Sequence, residues 1–355
     1  MIRRYGPRVL VAVVLLAFLA ALPHMIPEEK ITDTQLSYVG TFAIALLGLV
    51  VLTGYTGQIS LGHGAFMAIG AYVTAILSVD HDVPALLTLP LAGLVAGLAG
   101  FLFGFPALRL EGVYLALATF ALAVIVPSLA TRFAFTGGSA GILLDLPTSP
   151  IGRFSPELWL YYVTWAIGVV LFVAAVLFVR GREGRALRAI RDGEIAAVSS
   201  GVSLARYKTL AFGVSAFYAG VAGGLYAILN FIVTPGTFAV TLSILLLAGL
   251  VIGGASSLLG VLVGAAFVEF MPLYSGDLLA PVVDAGQAVG LPVGDVDPTT
   301  PGVPSVVYGL VLLLVLFVMP SGAAGLFRRL GVLTKTTYSR LGSSSNRVIP
   351  SRRSS

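Results

Sequence analysis

Apolar residues in this chain come in long unbroken runs, without the alternation of a half-buried strand or the narrow stripe of a surface helix. A helix crossing about 30 Å of hydrocarbon needs roughly 17–25 such residues. Runs of about this length occur at 9–26, 37–53, 62–78, 84–108, 112–130, 158–179, 209–229, 238–252, 256–272 and 303–319. They predict an all-α, polytopic membrane protein with about ten transmembrane helices. The eighth and ninth runs are divided only by the Gly-Gly-Ala at 253–255. Polar positions collect between the runs, most densely in RDGEIAAVSSGVSLARYK at 191–208. The organisation expected is a transmembrane domain over 1–330, with 180–208 as its largest ordered polar loop. Residues 331–355, Ser-rich and basic, bury too little to fold and are expected to form a disordered tail.

Charge orients the bundle. With the N-terminus inside, every one of the 21 Lys and Arg residues except Lys30, Arg132 and Arg153 falls on the inner side. Acidic residues divide the other way, leaving Glu269 within a span. Positive charge resists translocation, so the asymmetry places both termini in the cytoplasm. The first 23 residues also have the basic start and apolar core of a signal peptide. Cleavage there would leave nine helices and the same charge pattern.

Composition narrows the chemistry. At 57% hydrophobic and 10% charged residues, the chain has too much apolar surface for a water-soluble interior. Glycine, at 42 residues, recurs four apart at Gly93/Gly97, Gly100/Gly104, Gly220/Gly224, Gly249/Gly253 and Gly260/Gly264, a spacing that lets neighbouring helices approach closely. There is no cysteine, and the three histidines, His24, His63 and His81, are scattered, so no metal site is expected. No Lys follows a Gly, which excludes a GxxxxGK[ST] phosphate loop; any ATP must be held and hydrolysed by another chain. The GGSAG at 137–141 formally matches a nucleophile elbow. It lies in a loop without the strand–turn–helix setting, and a flexible turn accounts for it. Glu269 reads either as a snorkelled or hydrogen-bonded structural carboxylate or as a functional intramembrane one.

Two polar segments hold candidate sites. In 180–208, Asp192 is placed to cap a short helix, Glu194 favours its N-terminal dipole end, and Gly201 suits the left-handed position after it. Ala196 and Ala197 give that helix a small flat face, and Arg185, Arg188 and Arg191 are available to acidic groups on a partner. The segment is either a docking element or a solvated, charged anchor. In 52–64, Gly54, Gly57, Gly62 and Gly64 interrupt the helices, while Tyr55, Thr56, Gln58, Ser60 and His63 offer uncharged hydrogen-bonding groups. Irregular backbone is tolerated at membrane depth only where protein or a wet cavity satisfies it. This segment either lines a translocation path or joins two helices in a tight turn.

Glu194, Ile195, Ala196, Ala197 and, after three residues, Gly201 resemble the Glu-Ala-Ala…Gly coupling segment of ABC importer permeases, with one extra residue after the Glu. LTGYTGQISLGHGAFMAIGAYVTAIL (52–77), GVYLALATFALA (112–123), FAFTGGSAGI (133–142) and MPSGAAGLFRR (319–329) resemble the branched-chain amino acid permease family, its LivM-like branch in particular. The resemblance extends from about residue 38 to 329. It implies the ABC importer permease fold and a non-enzymatic transport subunit in a prokaryotic inner membrane. The cargo implied is a branched-chain or similar amino acid, with urea or short amides as the alternative. An ion-driven carrier would need more buried charge than this chain has. The partners implied are ATPase subunits carrying ATP and Mg, which would dock on 186–201, and a second, homologous permease subunit. An extracytoplasmic solute-binding protein would meet Thr136, Gly137 and Gly138. No cofactor on this chain and no nucleic acid are implied.

Overall fold

Each apolar run between residues 31 and 288 folds as a helix. The computed structural model describes residues 21–23, 31–110, 112–145, 154–288, 309, 310 and 313, with side chains in the last long segment as far as Tyr274. Apart from those isolated positions, the runs expected at 9–26 and 303–319, the 319–329 motif and the tail lie outside the described residues.

The helices are α1 (Asp33–Leu49), α2 (His63–Val79), α3 (Ala85–Ala107), α4 (Val113–Ala130), α5 (Pro156–Arg180), α6 (Arg182–Asp192), α7 (Glu194–Ser199), α8 (Leu204–Asn230), α9 (Val240–Gly253) and α10 (Gly260–Ala288). A π-helical turn, Val50–Gly54, extends α1. Among the described residues five helices are long and apolar enough to cross a membrane: α1 with its π turn, α3, α4, α5 and α8. The helix starts follow local chemistry. Thr32 and Gln35 form a reciprocal capping box on α1, and Ser155 accepts from Leu158 N (3.2 Å) ahead of Pro156 on α5. α8 starts at Leu204, earlier than the expected border at residue 209, because the charge of Lys208 is matched inside the protein. α10 continues past the expected end at residue 272.

α1 and α8 are the central helices, and small residues set how closely the others approach them. Along the α3–α8 seam, a Cβ at Gly104 would lie 2.8 Å from Thr209 Cα, and one at Gly100 2.8 Å from Phe212 O. Along the α9–α10 seam, Gly249 and Gly253 face Gly264 and Gly260 with no room for a methyl group. All five glycine pairs picked out by their spacing sit in such contacts. α4 and α5 leave broad apolar faces exposed, as at Leu117, Ile125, Val170 and Leu177.

The connections segregate to two ends. At one, Gly54, the α6–α7 elbow and the turn before α10 meet. At the other, a short antiparallel ribbon pairs Ile142 with Val233 and Leu143 with Ile232, joining the loop after α4 to the segment after α8. These are the loops that the charge pattern assigns to inner and outer sides respectively.

Candidate functional site

The polar segment 55–62 turns back into the bundle instead of crossing an open surface. His63, at the start of α2, is fully buried, and its Nε2–H donates to Ala45 O at 2.8 Å. Ala45 lies nine residues before Gly54 on the same helix, so α2 begins roughly 13 Å inside the end of α1. Backbone at that depth must find partners within the protein, and it does. Leu61 N donates to Thr119 Oγ1 (2.9 Å) and Gly64 N to Ser243 Oγ (2.9 Å), which ties the segment to α4 and α9. Gly62 N donates to Ser60 Oγ (3.3 Å), and Thr53 Oγ1 donates to Gln58 O (3.0 Å). Thr56 donates to Leu52 O, and the Gln58 amide lies 3.3 Å from the Thr56 hydroxyl. Of the five path candidates, Thr56, Gln58, Ser60 and His63 are buried, and Tyr55 is half-exposed. Two glycines make the turn possible. Gly57 has φ +76°, and at Gly54 a side chain would collide with the Ala255 carbonyl.

The inner polar loop is an elbow of two helices, and this corrects one expectation. Asp192 does not cap the second helix. It ends α6, Gly193 separates the two, and the Asp192 carboxylate lies 3.5 Å from Arg191 Nε. Gly201 takes the expected left-handed conformation at φ +81°, and Val202 N donates back to Ala197 O (3.0 Å). α6 is embedded: Leu187 is fully buried in a small inner core with Val51, Leu52, Val179 and Phe212. α7 has two sides. Ala197 is buried, whereas Ala196 is exposed with Ile195 (87%) and Val198 (53%) beside it.

The elbow grips the re-entrant turn. Arg191 Nη1 donates to Gly54 O at 2.7 Å, and the Arg191 side chain packs under Gly57. The Arg188 guanidinium sits 5.8 Å from the centroid of the Tyr55 ring, within cation–π range. Arg185 Nη1 approaches Arg180 O at 3.4 Å. Glu194 reaches the root of α8, pairing with Lys208 at 2.6 Å; the Lys208 side chain is 4% exposed. Thr119, Ser243 and Lys208 went unnoticed in the sequence, and Gly54 was read there only as a helix breaker. Lys208 alone carried a signal, as a charge on the edge of an apolar run. Removing one member of a buried pair leaves the other charge unmatched, and Glu194 is about a third exposed. Glu194→Gln should therefore destabilise the protein by about 2 kcal/mol. Adding Lys208→Met should recover part of that loss in thermal unfolding, as a double-mutant cycle requires.

At the other end, Thr136 is buried, and its hydroxyl lies 2.6 Å from both Ala130 O and Phe133 O. Gly137 and Gly138 carry the turn at φ +73° and +60°, and Phe133 and Phe135 stack beside it, both exposed. Among the described residues, no three His, Cys, Asp or Glu side chains come together as metal ligands.

The sequence profile described as branched-chain amino acid transport system / permease component matches residues 31–316. The chain is 37% identical over 278 residues to the high-affinity branched-chain amino acid transport system permease protein LivM of Escherichia coli (strain K12), covering 71% of this chain and 65% of that protein. It is 35% identical over 279 residues to the protein of the same name from Salmonella typhimurium (strain LT2), covering 72% and 65%. The alignments thus span 65% of the length of each relative. No solved structure matches the chain significantly. The length of the profile match, over an all-helical bundle that carries the GYTGQISLGH turn intact, makes this chain a member of the branched-chain amino acid transport system permease family.

Proposed function

We propose that the chain is the transmembrane permease subunit of an ATP-driven ABC importer for branched-chain or similar amino acids. It lies in a prokaryotic inner membrane with the 180–208 elbow in the cytoplasm. The observation that carries the reading is the direct hydrogen bond from the elbow, through Arg191, to the re-entrant turn at Gly54. Family membership supports the cargo class. A homologous second permease subunit completes the path, two ATPase subunits hold ATP and Mg, and an extracytoplasmic binding protein delivers solute at the Thr136–Gly138 turn. The exposed pair Phe133 and Phe135 extends that outer surface.

In this reading the 55–63 segment is the inner gate. Its groups are neutral and hydrogen-bonded to one another, so a zwitterion passes without being held by a fixed charge. Closure of the ATPases moves α7, and the α6–α7 elbow passes the movement to Gly54 and the root of α8. Only contacts that differ between the outward- and inward-facing states carry that energy. Ile195 is the apolar knob that seats on the ATPase, flanked by Ala196 and Val198. Ile195→Asp should abolish co-purification of the ATPase subunit while leaving the yield and thermal stability of the permease unchanged, because Ile195 is 87% exposed. Undiminished co-purification would remove α7 from the interface.

A further inference from the structure

An apolar groove runs between α1 and α5 and ends at the start of α10. It encloses about 190 Å³, and its lining carries almost no polar surface. Gly40 and Ala43 of α1 and Gly168 of α5 leave the space open, beside the rings of Trp165 and Phe172. Toward the outer side the groove closes. A Cβ at Gly40 would lie 3.0 Å from Thr164 Cγ2 and 3.4 Å from the Trp165 ring, so α1 and α5 touch there. One turn further in, a Cβ at Gly168 would meet Ile44 Cγ1 first, at 3.8 Å, and the two helices have begun to part. The mouth lies beside Val173 and Leu259, which are 50% and 64% exposed.

The face of α5 that lines the groove continues along the helix to Arg180. That residue is seven positions beyond Val173, on the same side and about 10.5 Å nearer the inner end. Arg180 is exposed, and so is Arg182 at the start of α6. Neither belongs to a described ion pair. Arg180, Arg182 and Arg185 outnumber the one acid among them, Glu183, whose carboxylate lies beside Gly181. An apolar slot in line with unmatched cations answers both parts of a phospholipid. The acyl chain takes the slot, and the phosphate takes guanidinium hydrogen bonds. An anionic headgroup adds no cation of its own, and each basic residue at the inner surface favours it about fivefold. A helix, about 10–12 Å across with its side chains, would lie over the slot and leave the arginines unanswered. We infer that this groove binds an anionic phospholipid of the inner leaflet, with one acyl chain between α1 and α5 and the phosphate on Arg180 and Arg182. Because Arg182 opens α6, the bound lipid braces the root of the elbow. The inference rests on the orientation proposed above, with the 180–208 elbow in the cytoplasm.

The test uses the assembled permease–ATPase complex in phosphatidylcholine nanodiscs. These are doped with phosphatidylglycerol or phosphatidylcholine carrying the same diazirine-labelled acyl chain, and adducts are mapped by peptide mass spectrometry after photolysis. The glycerol lipid should label the groove peptides, 165–173 and 258–262, about tenfold more than the choline lipid. Arg180→Gln combined with Arg182→Gln should bring the two lipids to equal labelling; both residues are exposed, so the complex stays intact. Val173→Trp, at the half-exposed mouth, should fill the groove and suppress its adducts. Equal labelling by the two lipids in the wild-type complex, or a preference that survives loss of both arginines, overturns the site. So do groove adducts undiminished by Val173→Trp. Absence of groove adducts overturns it as well and points to a helix covering the slot. Orientation is read separately. The chain has no cysteine, so Ser199→Cys can be probed with a membrane-impermeant maleimide on spheroplasts. Labelling from outside would reverse the proposed orientation, whatever the lipid result.

Discussion

Arg191→Met should uncouple the transporter: amino acid uptake into proteoliposomes falls about tenfold while ATP hydrolysis by the assembled complex continues. The contact from Arg191 Nη1 to Gly54 O is the one direct hydrogen bond between the elbow and the re-entrant turn among the described residues. Hydrogen bonds to charged groups contribute about 1.5–3 kcal/mol. Arg191 is partly exposed, with a side chain 39% accessible, so the lower end applies, and that corresponds to roughly tenfold. Methionine keeps much of the packing under Gly57 and deletes only the donor. Arg191→Lys, with a shorter reach and a single charge centre, should be intermediate. Loss of uptake and hydrolysis in parallel would mean that Arg191 serves assembly and not transmission. Undiminished uptake would sever the proposed link between elbow and gate.

The second large effect concerns folding. Gly223→Leu should abolish the monodisperse, folded species seen on size-exclusion chromatography in detergent. A Cβ at Gly223 overlaps the backbone of Met67, where α2 crosses α8. A side chain rotates away from such a clash, but a helix backbone does not, so the two helices must separate. Overpacking costs about 1–3 kcal/mol when neighbours relax, and more when they do not. Separation here would also strip Gly70 from Gly220 on the same crossing. Gly168→Ala is the matched control. Its nearest neighbour is Ile44 Cγ1 at 3.8 Å, an ordinary contact, and its unfolding temperature should stay at the wild-type value. A well-behaved Gly223→Leu protein would refute the α2–α8 packing described above.

Several residues changed meaning between sequence and structure. Tyr55, Thr56, Gln58, Ser60 and His63 read as uncharged polar groups near membrane depth; the structure buries all but Tyr55, with His63 bonded to α1, while the ties to α4 and α9 come from the backbone of Leu61 and Gly64. Arg191 read as a cation offered to a partner protein; within the chain its guanidinium donates to Gly54 O and lies 3.5 Å from the Asp192 carboxylate. Glu194 read as a favourable charge at a helix start, and Lys208 only as the end of the polar segment. They prove to be one ion pair that lets α8 begin inside the polar segment.

The sequence by itself determined the elements, because hydrophobic run length and the sidedness of Lys and Arg are local properties that a bilayer reads one segment at a time. It determined the helix-packing seams, since a four-residue glycine spacing makes a smooth face wherever the neighbour lies. It also showed the family through GYTGQISLGH and its companion motifs. Only the tertiary structure decided which polar group meets which. Arg191 and Gly54 are 137 residues apart, and Gly64 and Ser243 are 179 apart. A backbone group that accepts, as Gly54 O does, or donates, as Gly64 N does, across such a distance leaves no mark on its own side chain, so no local pattern announces it. The depth of the re-entrant turn was decided in the same way, by where α1, α4 and α9 place the oxygens that receive and satisfy it.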